Sequence, residues 1–194
     1  MNRYRLMILF TKIRRKFYSG TNQPTLFLDI DGVLCPTGSP NLNTYSKEAI
    51  SHINKLINDH RLKVVLCSGR RQSEKLLSLT VKGLKKAGLF ADIPETDILL
   101  EEYDAFHDYD VDRSSDIFRF IQKNPHVNPF VIIDDQKRLY ENEFNLDLFL
   151  IEPRDPNKKG FSIDDFNRVN RFLCNEFEEA YRRWGYINQD YEKK

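Results

Sequence analysis

The chain has 194 residues, of which 40% are hydrophobic and 30% charged, so it has the length and composition of one soluble globular domain. Its three cysteines, Cys35, Cys67 and Cys174, are odd in number and widely spaced. This pattern excludes a disulfide framework and a paired-cysteine metal site, and it favours a reducing compartment. The apolar run at residues 6–10 is too short to span a bilayer, so no stable membrane insertion is expected.

The formal net charge of +1 hides an uneven distribution along the chain. The first 28 residues hold six basic and no acidic residues, whereas the remainder holds 24 basic and 29 acidic ones. We therefore expect a basic leader at residues 1–23, a folded domain at 24–187 and a loose tail at 188–194. The leader has two alternative interpretations, an organelle-targeting peptide or a contact with nucleic acid or a membrane surface. A cytoplasmic location is expected, with organelle targeting as the alternative.

Residues 26–30 form an apolar run that predicts a buried strand. Asp29 interrupts this run and Asp31 ends it, while Gly32 allows the backbone to turn sharply. On an ideal strand the two carboxylates project to the same side. Burying both is costly unless a cation or hydrogen bonds compensate, so they are either solvated acids at a strand end or part of a charged site.

After a loop, Ser46 is placed to cap a helix at residues 46–59. A second apolar strand at 62–67 ends in Ser68-Gly69-Arg70, and a helix at 72–87 follows, with Gly88 as its stop. The connection between the two strands has space for one helix and a short flap, but not for a large inserted cap domain.

A short edge strand is predicted at residues 97–100, followed by an acidic stretch at 101–112. A solvated loop is the simplest interpretation of this stretch. The alternative is a metal or substrate role for His107 with Asp104, Asp108 or Asp110, although these residues have no recognisable metal-ligand spacing. Ser114 is the expected cap of a helix through Lys123. A third apolar strand, at 129–133, ends in Asp134-Asp135.

Another strand is predicted at residues 148–151. Ser162 and Asp165 make a capping box for a closing helix, which we expect Gly185 to end. The alternation of strands and helices predicts an α/β fold, a three-layer sandwich with a mainly parallel central sheet. Polar residues lie at the ends of the three apolar strands at 26–30, 62–67 and 129–133. These polar residues should meet at one edge of that sheet.

These motifs resemble those of the haloacid dehalogenase (HAD) superfamily over roughly residues 25–175. Asp29-Ile30-Asp31-Gly32-Val33 is similar to its nucleophile motif, Ser68 to its second motif, and Asp134-Asp135 to its acidic fourth motif. The third motif is a cation, usually Lys, near the start of the helix before the fourth. Arg113 stands at that place, with Lys123 at the far end of the helix as the alternative.

A narrower resemblance rests on four further segments. Together they are similar to the small, cap-less HAD domain of Swiss-army-knife RNA-repair proteins. The segments are residues 113–117, 130–135, 152–153 and 160–165.

The resemblance implies a Mg²⁺-dependent phosphomonoester hydrolase that works through an aspartyl-phosphate. Asp29 would be the nucleophile and Asp31 the general acid and base, while Ser68, Gly69 and Arg113 would bind the phosphate. The metal set it implies is Asp29, the backbone carbonyl of Asp31, Asp134, and Asp135 directly or through water.

The substrate is left open by the sequence. An open, cap-less site suits polynucleotide ends, but it also admits small phosphomonoesters or nucleotides. A non-catalytic binding module of the same fold is a third interpretation, and the presence of both Asp29 and Asp31 argues against it. The oligomeric state is not indicated by any sequence feature.

Overall fold

The computed structural model describes residues 24–39, 44–72, 74–90, 113–124, 127, 129–140, 145–154 and 160–189. The predicted leader, the predicted edge strand at 97–100 and the acidic stretch at 101–112 lie outside these residues. Within the described part, no helix is long and apolar enough to cross a membrane.

The centre of the fold is a four-stranded sheet in which every neighbouring pair of strands is parallel. The strand order is β2-β1-β3-β4, so an α/β fold with a parallel sheet is confirmed. Both β1 and β3 are buried at every position, which requires cover on both faces of the sheet. The strands are β1 (Thr25–Leu28), β2 (Lys63–Leu66), β3 (Phe130–Ile133) and β4 (Leu150–Ile151).

Five α-helices are described around this sheet, together with several tighter or wider helical turns. The α-helices are α1 (Lys47–His60), α2 (Glu74–Lys86), α3 (Arg113–Lys123), α4 (Ile163–Arg171) and α5 (Phe177–Gln189). The 3₁₀ turns are Gly69–Gln72, Lys137–Leu139 and Leu146–Phe149, and a π-helical segment, Phe172–Glu176, joins α4 to α5.

The predicted helix caps are confirmed at three positions. The Ser46 side chain accepts a hydrogen bond from the Ala49 amide, and Ser162 and Asp165 form the reciprocal capping box. Gly88 ends α2 with φ of 95°, a conformation that glycine adopts without a steric penalty. These signals were readable because each involves residues that are close in sequence.

The first strand is shorter than its apolar run predicts, because β1 ends at Leu28. The Asp29 amide still bonds to the Ile133 carbonyl at 2.9 Å, but the Ile30 carbonyl already accepts the amides of Leu34 and Cys35. Ile30 is therefore part of a tight turn rather than of the strand. The alternation expected for Asp29 and Asp31 does not hold, and the two carboxylates lie in different environments.

Three other boundaries were predicted wrongly. The helix expected from Ser114 already begins at Arg113, and only the second half of the strand expected at 148–151 is a strand, because its first two residues belong to a 3₁₀ turn. The closing helix does not end at Gly185 but continues to Gln189. Trp184 is buried against Phe130 and Phe149, and this tertiary packing compensates for the low helix propensity of the following glycine.

The direction in which successive strands are added to the sheet reverses at β1, in the centre of the sheet. The chain runs from β1 to β2 on one side and later returns to β3 on the other side of β1. In open α/β sheets ligands bind at the carboxyl ends of the strands that flank such a reversal. Asp29 follows β1 and Asp134 follows β3, so both carboxylates lie at this point.

Gly160 holds the turn after β1 against the start of α4. The Phe161 amide donates to the Val33 carbonyl at 2.8 Å. A Cβ on Gly160 would lie 2.3 Å from the same carbonyl oxygen, and the φ of Gly160 is 97°. Only glycine fits this close backbone approach.

Gly160→Ala should therefore destabilise the protein more than Gly88→Ala, although both positions have positive φ. We expect about 1–2 kcal/mol of strain at either position, and roughly 2 kcal/mol more at Gly160 from the backbone clash. Urea unfolding of both variants measures the difference. Equal losses would show that the Gly160 contact does not constrain the turn.

Candidate active site

Three carboxylates converge at the carboxyl ends of β1 and β3. Asp29, Asp134 and Asp135 each offer one oxygen, and these oxygens lie within 4.8 Å of one another. Asp29 and Asp134 are fully buried, and Asp135 is partly exposed. The strand pairing produces this arrangement, because Leu28 and Ile133 are register partners and the next residue on each strand is an aspartate.

Asp29 has the least compensated carboxylate of the three. By hydrogen-bond geometry neither of its oxygens has a donor among the described residues, although Ser68 and the Ile30 backbone lie close enough to lower its pKa slightly, and Oδ1 of Asp135 also has no donor. Burial, with the nearby charge of Asp134, raises the pKa of Asp29 to about 7 even though Arg113 opposes the shift. Buried carboxylate oxygens without donors indicate room for a cation.

Arg113 supplies a positive charge from within the protein. Its Nη1 donates to Oδ2 of Asp134 at 2.5 Å and lies 3.3 Å from Oδ2 of Asp29. The guanidinium is itself buried, so its charge is weakly screened. Lys123 lies exposed at the opposite end of α3.

Gly32 brings Asp135 close to the turn that follows β1. A Cβ on Gly32 would lie 2.0 Å from Oδ2 of Asp135, and the φ of Gly32 is 75°. Burial and the charge of Asp134 raise the pKa of Asp135 to about 6. The glycine of the Asp-x-Asp-Gly motif is thus required both for its backbone conformation and for this close contact.

Asp31 is held away from this group by Arg70. The guanidinium donates from Nε to Oδ2 at 2.9 Å and from Nη2 to Oδ1 at 2.5 Å, a bidentate pair. Arg70 is buried and also contacts the Cys35 thiol and the Tyr45 hydroxyl, whereas the Asp31 side chain is 53% exposed. Asp31 therefore presents its carboxylate to solvent in a fixed orientation.

Ser68, two residues after the end of β2, lies beside Asp29. Ser68 is buried and close enough to Asp29 to lower the pKa of that carboxyl in part. Gly69 begins the 3₁₀ turn that carries Arg70 and Arg71. Arg71 pairs with Asp116 in the first turn of α3, so this turn connects the β2 end to the helix that carries Arg113.

Tyr140 and Gln136 complete the surroundings of Asp134. The Tyr140 hydroxyl donates to Oδ2 at 2.7 Å, and the Gln136 amide donates to Oδ1 at 2.8 Å. Burial, reinforced by nearby charges, raises the pKa of Tyr140 well above its ordinary value, so the phenol remains a donor. Together with Arg113, these two donors give both oxygens of the Asp134 side chain a hydrogen-bond partner.

Sequence reasoning missed the roles of Arg70, Arg71 and Tyr140. Two consecutive arginines directly after a strand that ends in Ser-Gly were a readable signal for Arg70 and Arg71. Tyr140 carried no signal, since it lies in an ordinary polar turn. The candidate ligands around His107 lie outside the described residues.

The charges of the site leave an excess that fits a divalent cation. Four aspartates, at 29, 31, 134 and 135, face two arginines, at 70 and 113, a formal excess of two negative charges. Oxygen donors from a few carboxylates are the ligands that Mg²⁺ prefers. The oxygens without donors and this excess charge form a group that could hold a hard divalent cation.

The sequence of one protein family matches a stretch of the chain that contains all four strands and all four site aspartates. It is described as the HAD domain in Swiss Army Knife RNA repair proteins, and the match covers residues 25–165. The chain belongs to this family. Membership in this HAD family supports a phosphatase-like hydrolase function. No curated protein and no solved structure matches the chain.

The raised pKa of Asp29 predicts that metal-free protein loses stability as the pH rises. The folded state keeps this proton up to about pH 7, whereas the unfolded state loses it near the ordinary value of 3.8. Between these values the folded state binds more protons, so its stability falls towards pH 7 and the full cost persists above it. Asp29→Asn should then raise the free energy of unfolding at pH 8 by on the order of 2 kcal/mol.

Urea unfolding in EDTA at pH 5 and pH 8 checks this expectation. At pH 5 the gain from Asp29→Asn should be smaller than at pH 8, because pH 5 crosses only part of the interval between 3.8 and about 7 over which the natural protein loses stability. Asp164→Asn, at an exposed position on α4, is the control and should give no stabilisation at pH 8. Equal stabilities of Asp29→Asn and the natural protein at pH 8 would show that Arg113 fully offsets the buried charge.

Proposed function

We propose that the protein is a Mg²⁺-dependent phosphomonoester hydrolase that acts through an aspartyl-phosphate, with polynucleotide ends as substrates. The observation that carries this proposal is the convergence of Asp29, Asp134 and Asp135 within 4.8 Å, with orphaned buried oxygens on two of them. The position of this cluster at the chain reversal between β1 and β3 supports it.

Asp29, Asp134 and Asp135 would hold Mg²⁺, with the backbone carbonyl of Asp31 as a further oxygen ligand. Once bound, the ion supplies charge neutralisation for the phosphoryl group. The Ser68 hydroxyl and the Gly69 amide would bind phosphoryl oxygens, and Arg113 would offset the charge that develops on them.

The two aspartates of the first motif would divide the chemistry between them. An oxygen of Asp29 attacks the phosphorus, and the bond from phosphorus to the ester oxygen breaks. Asp31 donates a proton to the departing oxygen and then takes one from the water that attacks the aspartyl-phosphate. The exposure of Asp31 supports this division, since a proton donor and acceptor must reach both the leaving group and water.

The choice of substrate rests on the family, whose description names RNA repair proteins. A second candidate class is small phosphomonoesters or nucleotides. A pocket of about 250 Å³ beside Asp31 and Asp135 favours this second class. Its volume is small for a ligand site, so it would suit a small substrate. Residues lining the pocket include Asp31, Cys35, Thr37, Ser39, Arg70 and Gln136.

A phosphate-release screen tests the proposal. Oligonucleotides with 3′-phosphates or 5′-phosphates, free nucleotides and sugar phosphates are compared with and without Mg²⁺. We expect Mg²⁺-dependent release from an oligonucleotide end, and Asp29→Asn should lower the rate by several orders of magnitude because the nucleophile is lost. Near-normal turnover by folded Asp29→Asn protein would show that water attacks phosphorus directly. Faster release from nucleotides or sugar phosphates would favour the second substrate class.

The third-motif cation is tested by variants at the two ends of α3. Arg113→Ala should lower kcat/KM by roughly 10²–10³-fold, because a charge that stabilises the transferring group is strong in a water-poor site. Arg113→Lys should recover part of the rate by restoring the charge without the planar guanidinium. Lys123→Ala, at the exposed end, is the matched control and should leave kcat/KM unchanged.

Circular dichroism of each variant is needed, because Arg113→Ala leaves Asp29 and Asp134 without a buried countercharge. If folded Arg113→Ala kept its activity while Lys123→Ala lost it, the assignment of the cation to the start of α3 would be wrong.

A further inference from the structure

Tyr140 lies fully buried directly after the 3₁₀ turn that follows β3. Its hydroxyl donates to Oδ2 of Asp134 at 2.7 Å. Aromatic packing alone does not require this hydroxyl, since Phe27, Phe130 and Phe149 fill comparable buried positions. A buried hydroxyl costs free energy unless it is hydrogen-bonded, so its bond to Asp134 is what makes tyrosine tolerable here.

The hydrogen bonds around Asp134 fix which of its lone pairs remain available. Each carboxylate oxygen has two acceptor positions. Oδ2 accepts from Tyr140 and from Arg113, so both of its positions are used. Oδ1 accepts from the Gln136 amide at 2.8 Å, which leaves one position on that oxygen.

We propose that Tyr140 is a positioning residue that orients Asp134 so that Oδ1 meets the divalent cation. This inference rests on the proposed function, in which Asp134 is a metal ligand. Arg113 and Tyr140 hold Oδ2 from two different elements, α3 and the turn after β3. With the hydroxyl removed, Oδ2 regains a free acceptor position and the carboxylate gains rotational freedom.

Tyr140→Phe tests this role by removing only the hydroxyl. The dissociation constant for Mn²⁺, measured by electron paramagnetic resonance of free and bound ion, should rise about tenfold, as for other groups that orient metal ligands. Phosphate release by the variant should be slow at low Mg²⁺ and return to near the natural rate at saturating Mg²⁺. A purely structural role would not produce this rescue by the metal.

Tyr181→Phe is the matched control, because it removes a hydroxyl from a half-exposed tyrosine on α5 and should leave the dissociation constant unchanged. A folded Tyr140→Phe protein whose dissociation constant for Mn²⁺ lies within twofold of the natural value would overturn the proposed role of Tyr140 but not the proposed function. Activity that stays low at saturating Mg²⁺ would also overturn it. If the natural protein bound neither Mn²⁺ nor Mg²⁺, the proposed function would fail, and the role of Tyr140 with it.

Discussion

The repulsion among carboxylates at the ends of β1 and β3 is the constraint on which the rest of this site depends. Asp29 and Asp134 are buried with their oxygens close together, which neither burial nor like charge favours. Arg113 offsets part of this cost from the first turn of α3. The remaining negative charge has no compensation within the described protein, which is the condition for holding a divalent cation.

The arginines give the two aspartates of the first motif different properties. Asp29 stays buried near Arg113, whereas Asp31 turns outward and is fixed by the bidentate pair with Arg70. Because Arg71 pairs with Asp116, one 3₁₀ turn ties the first loop to α3. The site therefore combines a shielded candidate nucleophile with an accessible candidate for proton transfer, and both are held by residues from separate elements.

Two glycines allow the backbone and carboxylates to approach closely enough for this arrangement. Gly32 leaves room for Asp135, and Gly160 leaves room for the Val33 carbonyl. A side chain at position 32 would clash with the Asp135 carboxylate, and one at position 160 would clash with the backbone of the turn after β1. These close approaches matter because charged groups at short range interact strongly in a poorly solvated site.

The sequence by itself determined the parallel α/β architecture, the three helix caps, and that Asp29, Ser68 and Asp134 lie near the carboxyl ends of strands. These features depend on apolar periodicity and on residues a few positions apart, which a single sequence displays directly. Only the tertiary structure decided that Asp31 is paired with Arg70, 39 positions away, and that Tyr140 bonds to Asp134. It also decided that the last helix continues beyond Gly185, because Trp184 packs against Phe130 and Phe149. Such contacts depend on how separate elements pack, and no local propensity encodes that packing.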